Sequence, residues 1–369
     1  MLKIKDSLKI IAVIIGTLVG AGFASGKEIY IFFVQYETSG IIGAIISAIL
    51  TGIIIYCTLK IAKTYNLQNN NQFVEKITNK KYGSTIIKNI INIFLLISFW
   101  IMCAGFCTFF KQEFNIPIII TSTITALTVY LLLMKNIDGI IKLNTIIVPV
   151  MIFIIIYIST KNNQATNMLY NKMELQQTWK AVLSAILYTS YNSITLIPII
   201  ISIQKCATNN KKLLPITITT TTLILILIIC IFKILTQSIV NIRQIEIPIL
   251  TILNSYSSSE KIIYSIAIIA AIFTSAISAG YGVLENVKGR NRYKKIALLI
   301  CLLEIPISYI GFGRLVEALY PAFGVIGILQ IVLILKTTNT IAKKTKNWYK
   351  LYMKIINLFS TFHISFKGL

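Results

Sequence analysis

The stretch Gly16-Thr17-Leu18-Val19-Gly20-Ala21-Gly22-Phe23-Ala24-Ser25-Gly26-Lys27-Glu28 lies in the middle of the first long apolar run of the chain. Four glycines and a charged pair interrupt what otherwise reads as a membrane-spanning helix. Backbone that leaves the helix inside a bilayer exposes N–H and C=O groups at a cost of several kcal/mol each. It persists only where protein, water or a ligand satisfies those groups. In secondary transporters such broken helices form the substrate and ion sites. A competing reading takes Gly16, Gly20 and Gly26 as close-packing contacts between helices. That reading leaves Lys27 and Glu28, beside the same stretch, unexplained.

Composition agrees with a membrane protein. Of 369 residues, 56% are hydrophobic and 13% charged, and the mean hydropathy is +0.79. We read an all-α, polytopic membrane protein with ten spans. They lie at about 8–36, 39–62, 88–111, 114–134, 142–160, 179–204, 213–236, 261–286, 294–312 and 315–335. Each supplies the ~20 apolar residues that a crossing helix needs. The first run continues into Tyr30-Ile31-Phe32-Phe33-Val34, which reads as a retained span rather than a cleaved signal. Residues 1–336 form the expected transporter body, and 337–369 a basic tail. The tail has an amphipathic stretch around Trp348 to Ile356 and would lie on the inner membrane surface.

The formal charge of +23 does not imply nucleic acid. Most of the 35 lysines and arginines fall at 3–9, 60–88, 135–142, 205–212, 288–295 and from 336 onward. With the N-terminus inside, these are all cytoplasmic segments, as the positive-inside rule requires. The expected location is the cell membrane, multi-pass, with both termini cytoplasmic. The partners are the bilayer and a small solute; the oligomeric state is not legible. The six cysteines sit in or beside apolar runs as small buried residues. No cofactor is expected. No Ser/His/Asp set, metal cluster or nucleotide loop is present, and His363, the single histidine, is in the tail, so an enzyme is not expected.

A second polar interruption stands in the sixth span: Tyr188-Thr189-Ser190-Tyr191-Asn192-Ser193-Ile194-Thr195, then Pro198. Spans one and six open two five-helix halves, about 8–160 and 179–335. Paired interruptions of this kind point to an inverted repeat with a midplane site. The outer half-helix of span one would start near Ala24 and Ser25, with a partly positive end suited to a carboxylate. Glu28 reads either as an outer-vestibule or gate residue, or as an interfacial side chain reaching for water. Glu304, isolated within span nine, is a further gate or coupling candidate, against a structural role. In span eight, Thr274 and Ser275 follow Ala271 by one turn. Such oxygens suit a monovalent cation, or simply helix–helix hydrogen bonds. Two further features are a short amphipathic stretch at Phe73–Ile77, in the loop 63–87, and a short surface helix within 237–260.

Gly20-Ala21-Gly22-Phe23-Ala24-Ser25-Gly26-Lys27-Glu28-Ile29, followed by Phe32-Phe33, resembles the opening signature of the bacterial YkvI-like membrane proteins. That family is similar to the amino acid–polyamine–organocation superfamily. The resemblance covers about residues 5–335 and implies a LeuT-type 5+5 inverted repeat with broken first and sixth helices. It implies carbonyls of Gly16, Val19 and Ala271 and hydroxyls of Thr274 and Ser275 around a sodium ion, the one metal expected. Span five, at 144–160, has no lysine to replace that ion. The solute site would comprise Gly20, Ala21, Gly22, Phe23, Ala24 and Ser25 with Tyr188, Thr189, Ser190, Tyr191 and Asn192, walled by span three from Trp100 to Phe106. The implied function is a cation-coupled, sodium-driven secondary transporter of a small zwitterionic solute, an amino acid. The alternative is a receptor that kept the transporter fold and senses the solute without moving it.

Overall fold

The structure, a computed structural model, describes residues 2–78, 81–134, 138–161, 175–203, 213–236, 242–284, 287 and 289–344. These residues form helices and connecting turns, with no strand among them. The first apolar run is three pieces: α1 (Leu2–Leu18), α2 (Ala21–Ser25) and α3 (Lys27–Phe32). Then come α4 (Glu37–Thr64), α5 (Asn70–Thr78), α6 (Lys81–Phe114), α7 (Ile118–Leu133) and α8 (Asp138–Lys161). The remainder is α9 (Leu175–Ile203), α10 (Leu213–Thr236), α11 (Pro248–Ile252), α12 (Ser258–Leu284), α13 (Arg290–Ser308) and α14 (Phe312–Lys344).

Six helical segments among the described residues are long and apolar enough to cross a membrane, and two shorter ones, Ile118–Leu133 and Pro149–Lys161, are also apolar. Large apolar side chains such as Leu127, Phe153, Leu299 and Val325 stand exposed on the outside. On a water-soluble protein that surface would be anomalous; here it faces lipid. The chain is a multi-pass membrane protein. Most helix ends fall within five residues of the expected runs, but α1 and α6 start six and seven residues early and α14 runs on. α14 continues past residue 336 to Lys344, so the expected border between body and tail lies inside a helix. The rest of the tail, including Trp348 to Ile356 and His363, lies outside the described residues, as do Cys206 and Glu285.

Lipid tails are as apolar as leucine, so these helices associate by close packing and hydrogen bonding rather than by escape from water. Two groups result. In the first, α9 is flanked by α4 and α14. A Cβ at Gly43 of α4, or at Gly324 or Gly327 of α14, would run into the backbone of α9. In the second, α12 lies along α6, while α13 packs on α6 and α7. Tyr281 of α12 and Tyr293 of α13 donate to the carbonyls of Leu132 and Leu133 at 2.9 and 3.0 Å. They thereby satisfy the open C-terminal end of α7. Trp100 Nε1 of α6 donates to the Ile300 carbonyl of α13 at 3.0 Å.

The interruption in span one is present. The one expected in span six is not: α9 is continuous from Leu175 to Ile203, with Pro198 inside it. Its polar side chains bond their own helix. Ser190 donates to the Ile186 carbonyl (2.7 Å), Asn192 to Tyr188 (3.0 Å), Ser193 to Ser190 (2.7 Å) and Thr195 to Asn192 (3.1 Å). Such back-bonding lets a polar run stay helical in an apolar setting.

Candidate functional site

The site is built on the break in span one. The ladder of α1 closes with the Val19 amide on the Ile15 carbonyl at 2.8 Å. Gly20 is extended (φ −83°, ψ −173°). The last carbonyls of α1, those of Gly16 to Val19, therefore lack partners from a further turn of the same helix. Gly26 then takes a left-handed conformation (φ +82°) that a side chain would strain. Ile249 and Leu235 already fill the space beside it. The outer half is thus two short helices of five and six residues joined at Gly26, where a single half-helix starting near Ala24 was expected.

Side chains satisfy the released backbone. Ser25 Oγ donates to the Gly22 carbonyl (2.8 Å) and accepts from the Lys27 amide (3.1 Å). The Tyr264 hydroxyl of α12 donates to the Ala24 carbonyl. Ser184 Oγ of α9 donates to the Phe32 carbonyl at 2.8 Å. The structure thus brings α2 and α3 against both α9 and α12.

Glu28 is 5% exposed and Lys27 3%, so neither reaches for water at an interface. Lys27 turns toward the segment 243–245: Nζ donates to the carbonyls of Arg243 (3.0 Å) and Ile245 (2.9 Å). Glu28 turns inward. Its carboxylate lies against Gly22, where a Cβ would collide with it. It accepts a 2.6 Å hydrogen bond from the Tyr191 hydroxyl of α9. Around it stand aromatic rings. Phe32 meets Tyr188 and Tyr191, each at 5.3 Å between centroids, and Tyr191 stacks on Tyr320 of α14 at 4.7 Å. The Tyr188 hydroxyl is buried and makes no hydrogen bond of normal geometry; the Asn192 side chain is a polar neighbour.

Of the expected solute residues, Gly20, Gly22, Tyr188 and Tyr191 gather at the break, and Phe23, Ala24 and Ser25 are buried beside them. Ala21 begins α2. Thr189 instead donates to the Ser47 carbonyl of α4 (3.2 Å), and Ser190 faces Gly327 of α14. The Trp100 end of the expected wall faces α13. Of the expected cation residues, Ser275 Oγ stands 4.0 Å from where a Cβ on Gly20 would be. Thr274 Oγ1 bonds the carbonyls of Ala270 (2.9 Å) and Ala271 (3.2 Å). Glu304 lies elsewhere, on α13 facing α6. It is 0% exposed, one oxygen accepting from Ser308 Oγ (2.9 Å) and the other without a partner. Its titratable neighbours are Cys103, Cys107 and Cys301. Among the described residues no group of three or more His, Cys, Asp or Glu is placed to hold a metal ion. Ser184, Tyr264 and Tyr320 were not foreseen. Each is an ordinary polar or aromatic residue of an apolar helix, with no local signal.

No family model matches the chain. It is 24% identical over 336 residues to the Bacillus subtilis (strain 168) protein named "Uncharacterized membrane protein YkvI", covering 86% of this chain and 92% of that one. It is 23% identical over 336 residues to "Uncharacterized protein YyaD" of the same organism, covering 90% and 96%. Two mutants of the Eremococcus coleocola manganese transporter share the fold with a TM-score of 0.55 at 13% identity, covering 96% of this chain and 92% of theirs.

Proposed function

We propose that the chain is a sodium-coupled secondary transporter that carries a small zwitterionic solute, an amino acid, across the cell membrane by alternating access. Its helices form ten spans in a LeuT-type 5+5 inverted repeat, with both termini cytoplasmic as the charge distribution favours. The observation that carries this reading is the broken first helix, whose extended Gly20 stands beside Ser275 of α12. Carbonyls of Gly16, Val19 and Ala271 with the hydroxyls of Thr274 and Ser275 supply hard oxygen ligands for sodium. The solute lies on the other side of the break, between α2, α3 and α9. Amides following Gly20 receive its carboxylate. Coupling follows because ion and solute share one hinge: filling the ion site orders the backbone that the solute needs.

The test is tracer uptake of amino acids into proteoliposomes with sodium or potassium as the sole salt. Sodium-dependent uptake is expected. In the double variant Thr274→Ala, Ser275→Ala the protein should fold, and uptake in sodium should fall to the potassium level. Unchanged sodium activation removes the ion site. Solute binding without uptake in either salt removes transport and leaves a receptor.

A further inference from the structure

We infer that Glu28 is the counter-ion for an ammonium group of the solute, so that the site selects amines and amino acids over deaminated acids and over divalent metals. This deepens the transporter reading above and rests on it for the location of the site.

A buried carboxylate is stable only when paired or well hydrogen-bonded. Glu28 has one hydrogen bond, from Tyr191. Glu28 takes no part in the ion pairs Lys88–Glu75, Lys161–Glu260 and Lys261–Glu113. Its neighbour Lys27 is committed to the carbonyls of Arg243 and Ile245. Beside this carboxylate stands a second buried polar group, the Tyr188 hydroxyl, whose polar neighbour is Asn192. α9 is unbroken, so apart from the Ile194 carbonyl, which Pro198 deprives of its helical donor, its carbonyls stay in the helix ladder. Glu28 can receive the ammonium.

The surroundings choose the kind of cation. Phe32, Tyr188, Tyr191 and Tyr320 pack on one another around one carboxylate, Tyr191 stacked on both Phe32 and Tyr320 and Tyr188 edge-on to Phe32 and Tyr191. Rings stabilise an organic ammonium through cation–π attraction, and the carboxylate adds a charge-assisted hydrogen bond. A divalent metal ion asks for about six oxygen ligands, usually including more than one carboxylate. No such group stands among the described residues. The fold is shared with a manganese transporter, but the donor set here suits a different cation.

The experiment uses the purified full-length chain in sodium buffer and reads the thermal midpoint as a function of probe concentration. The probes are alanine, leucine and lysine, each with its decarboxylated and its deaminated twin, and manganese chloride alone. At least one ammonium-bearing probe should stabilise the protein, and its deaminated twin should bind about 30-fold more weakly or worse. Glu28→Gln should lose the same factor for the amine while leaving the midpoint without probe near that of the wild type. Tyr191→Phe should keep a weakened response. Equal binding of the deaminated twin overturns the inference, as does an unchanged Glu28→Gln response. Stabilisation by manganese alone, or by no ammonium-bearing probe, also overturns it. If Glu28→Gln does not fold, the comparison of twins on the wild type decides alone. Amine binding that depends on Glu28 without uptake would sink transport and keep the counter-ion. Uptake that ignores both the ammonium and Glu28 would do the reverse.

Discussion

Gly22 is where backbone and charge meet. Any side chain there would occupy the volume of the Glu28 carboxylate. Gly22→Ala should therefore push Glu28 off Tyr191. Overpacking of this kind costs about 1–3 kcal/mol, which a lowered thermal midpoint would register. Solute uptake should fall by tenfold or more. If Gly22→Ala has full uptake, the carboxylate does not need that seat. The sequence announced the glycines and the acid next to them, because charge and helix breakers are conspicuous in an apolar run. It did not announce that Lys27 and Glu28, adjacent in the chain, face different ways. Successive side chains of a helix point about 100° apart, and the left-handed turn at Gly26, packed against Ile249 and Leu235, sets which way α3 presents the two.

At the scale of elements, the segment 242–253 is fastened over α2 and α3 from two sides. Lys27 bonds the Arg243 and Ile245 carbonyls, and Gln112 of α6 accepts from the Ile247 amide (3.2 Å) and donates to Thr251 (3.2 Å). Glu246 in turn accepts from the Gly313 amide at the start of α14. Hydrogen bonds to a charged group contribute about 1.5–3 kcal/mol each. Lys27→Met should loosen this cover. A cysteine placed at Ile249, on the buried side of this cover, should then react with a water-soluble maleimide several-fold faster than in the Lys27 background. Equal rates would show that the cover is held without Lys27. The amphipathic helix at 70–78 and a short helix in 237–260 were legible, since both follow from local pattern. The continuity of α9 was not. A run of Ser, Thr and Asn in an apolar helix satisfies itself equally well by breaking the helix or by bonding back to it. Only the neighbours, here glycine-lined α4 and α14, decide.

Across the whole molecule, helix positions could be read from hydropathy, but the grouping of helices could not. Lipid-facing and protein-facing surfaces are both apolar in a membrane protein, so Leu127, exposed, and Leu133, buried, look alike in sequence. The two groups, α9 with α4 and α14, and α6 with α7, α12 and α13, emerge only when side chains interlock. Residues 19–27, within the first run, touch both. The interrupted first run and the unbroken α9 should show their difference in exchange with heavy water. Amides that open locally exchange at a rate set by that opening. Peptides spanning Gly20 to Lys27 should take up deuterium well before peptides spanning Ser184 to Ile201, and sodium with a bound amine should slow the first without altering the second. Early labelling of both would mean that α9 also opens. Labelling of the first alone would mean that the protein carries a single isotopic soft spot, and that its working cycle bends one strand of backbone rather than two.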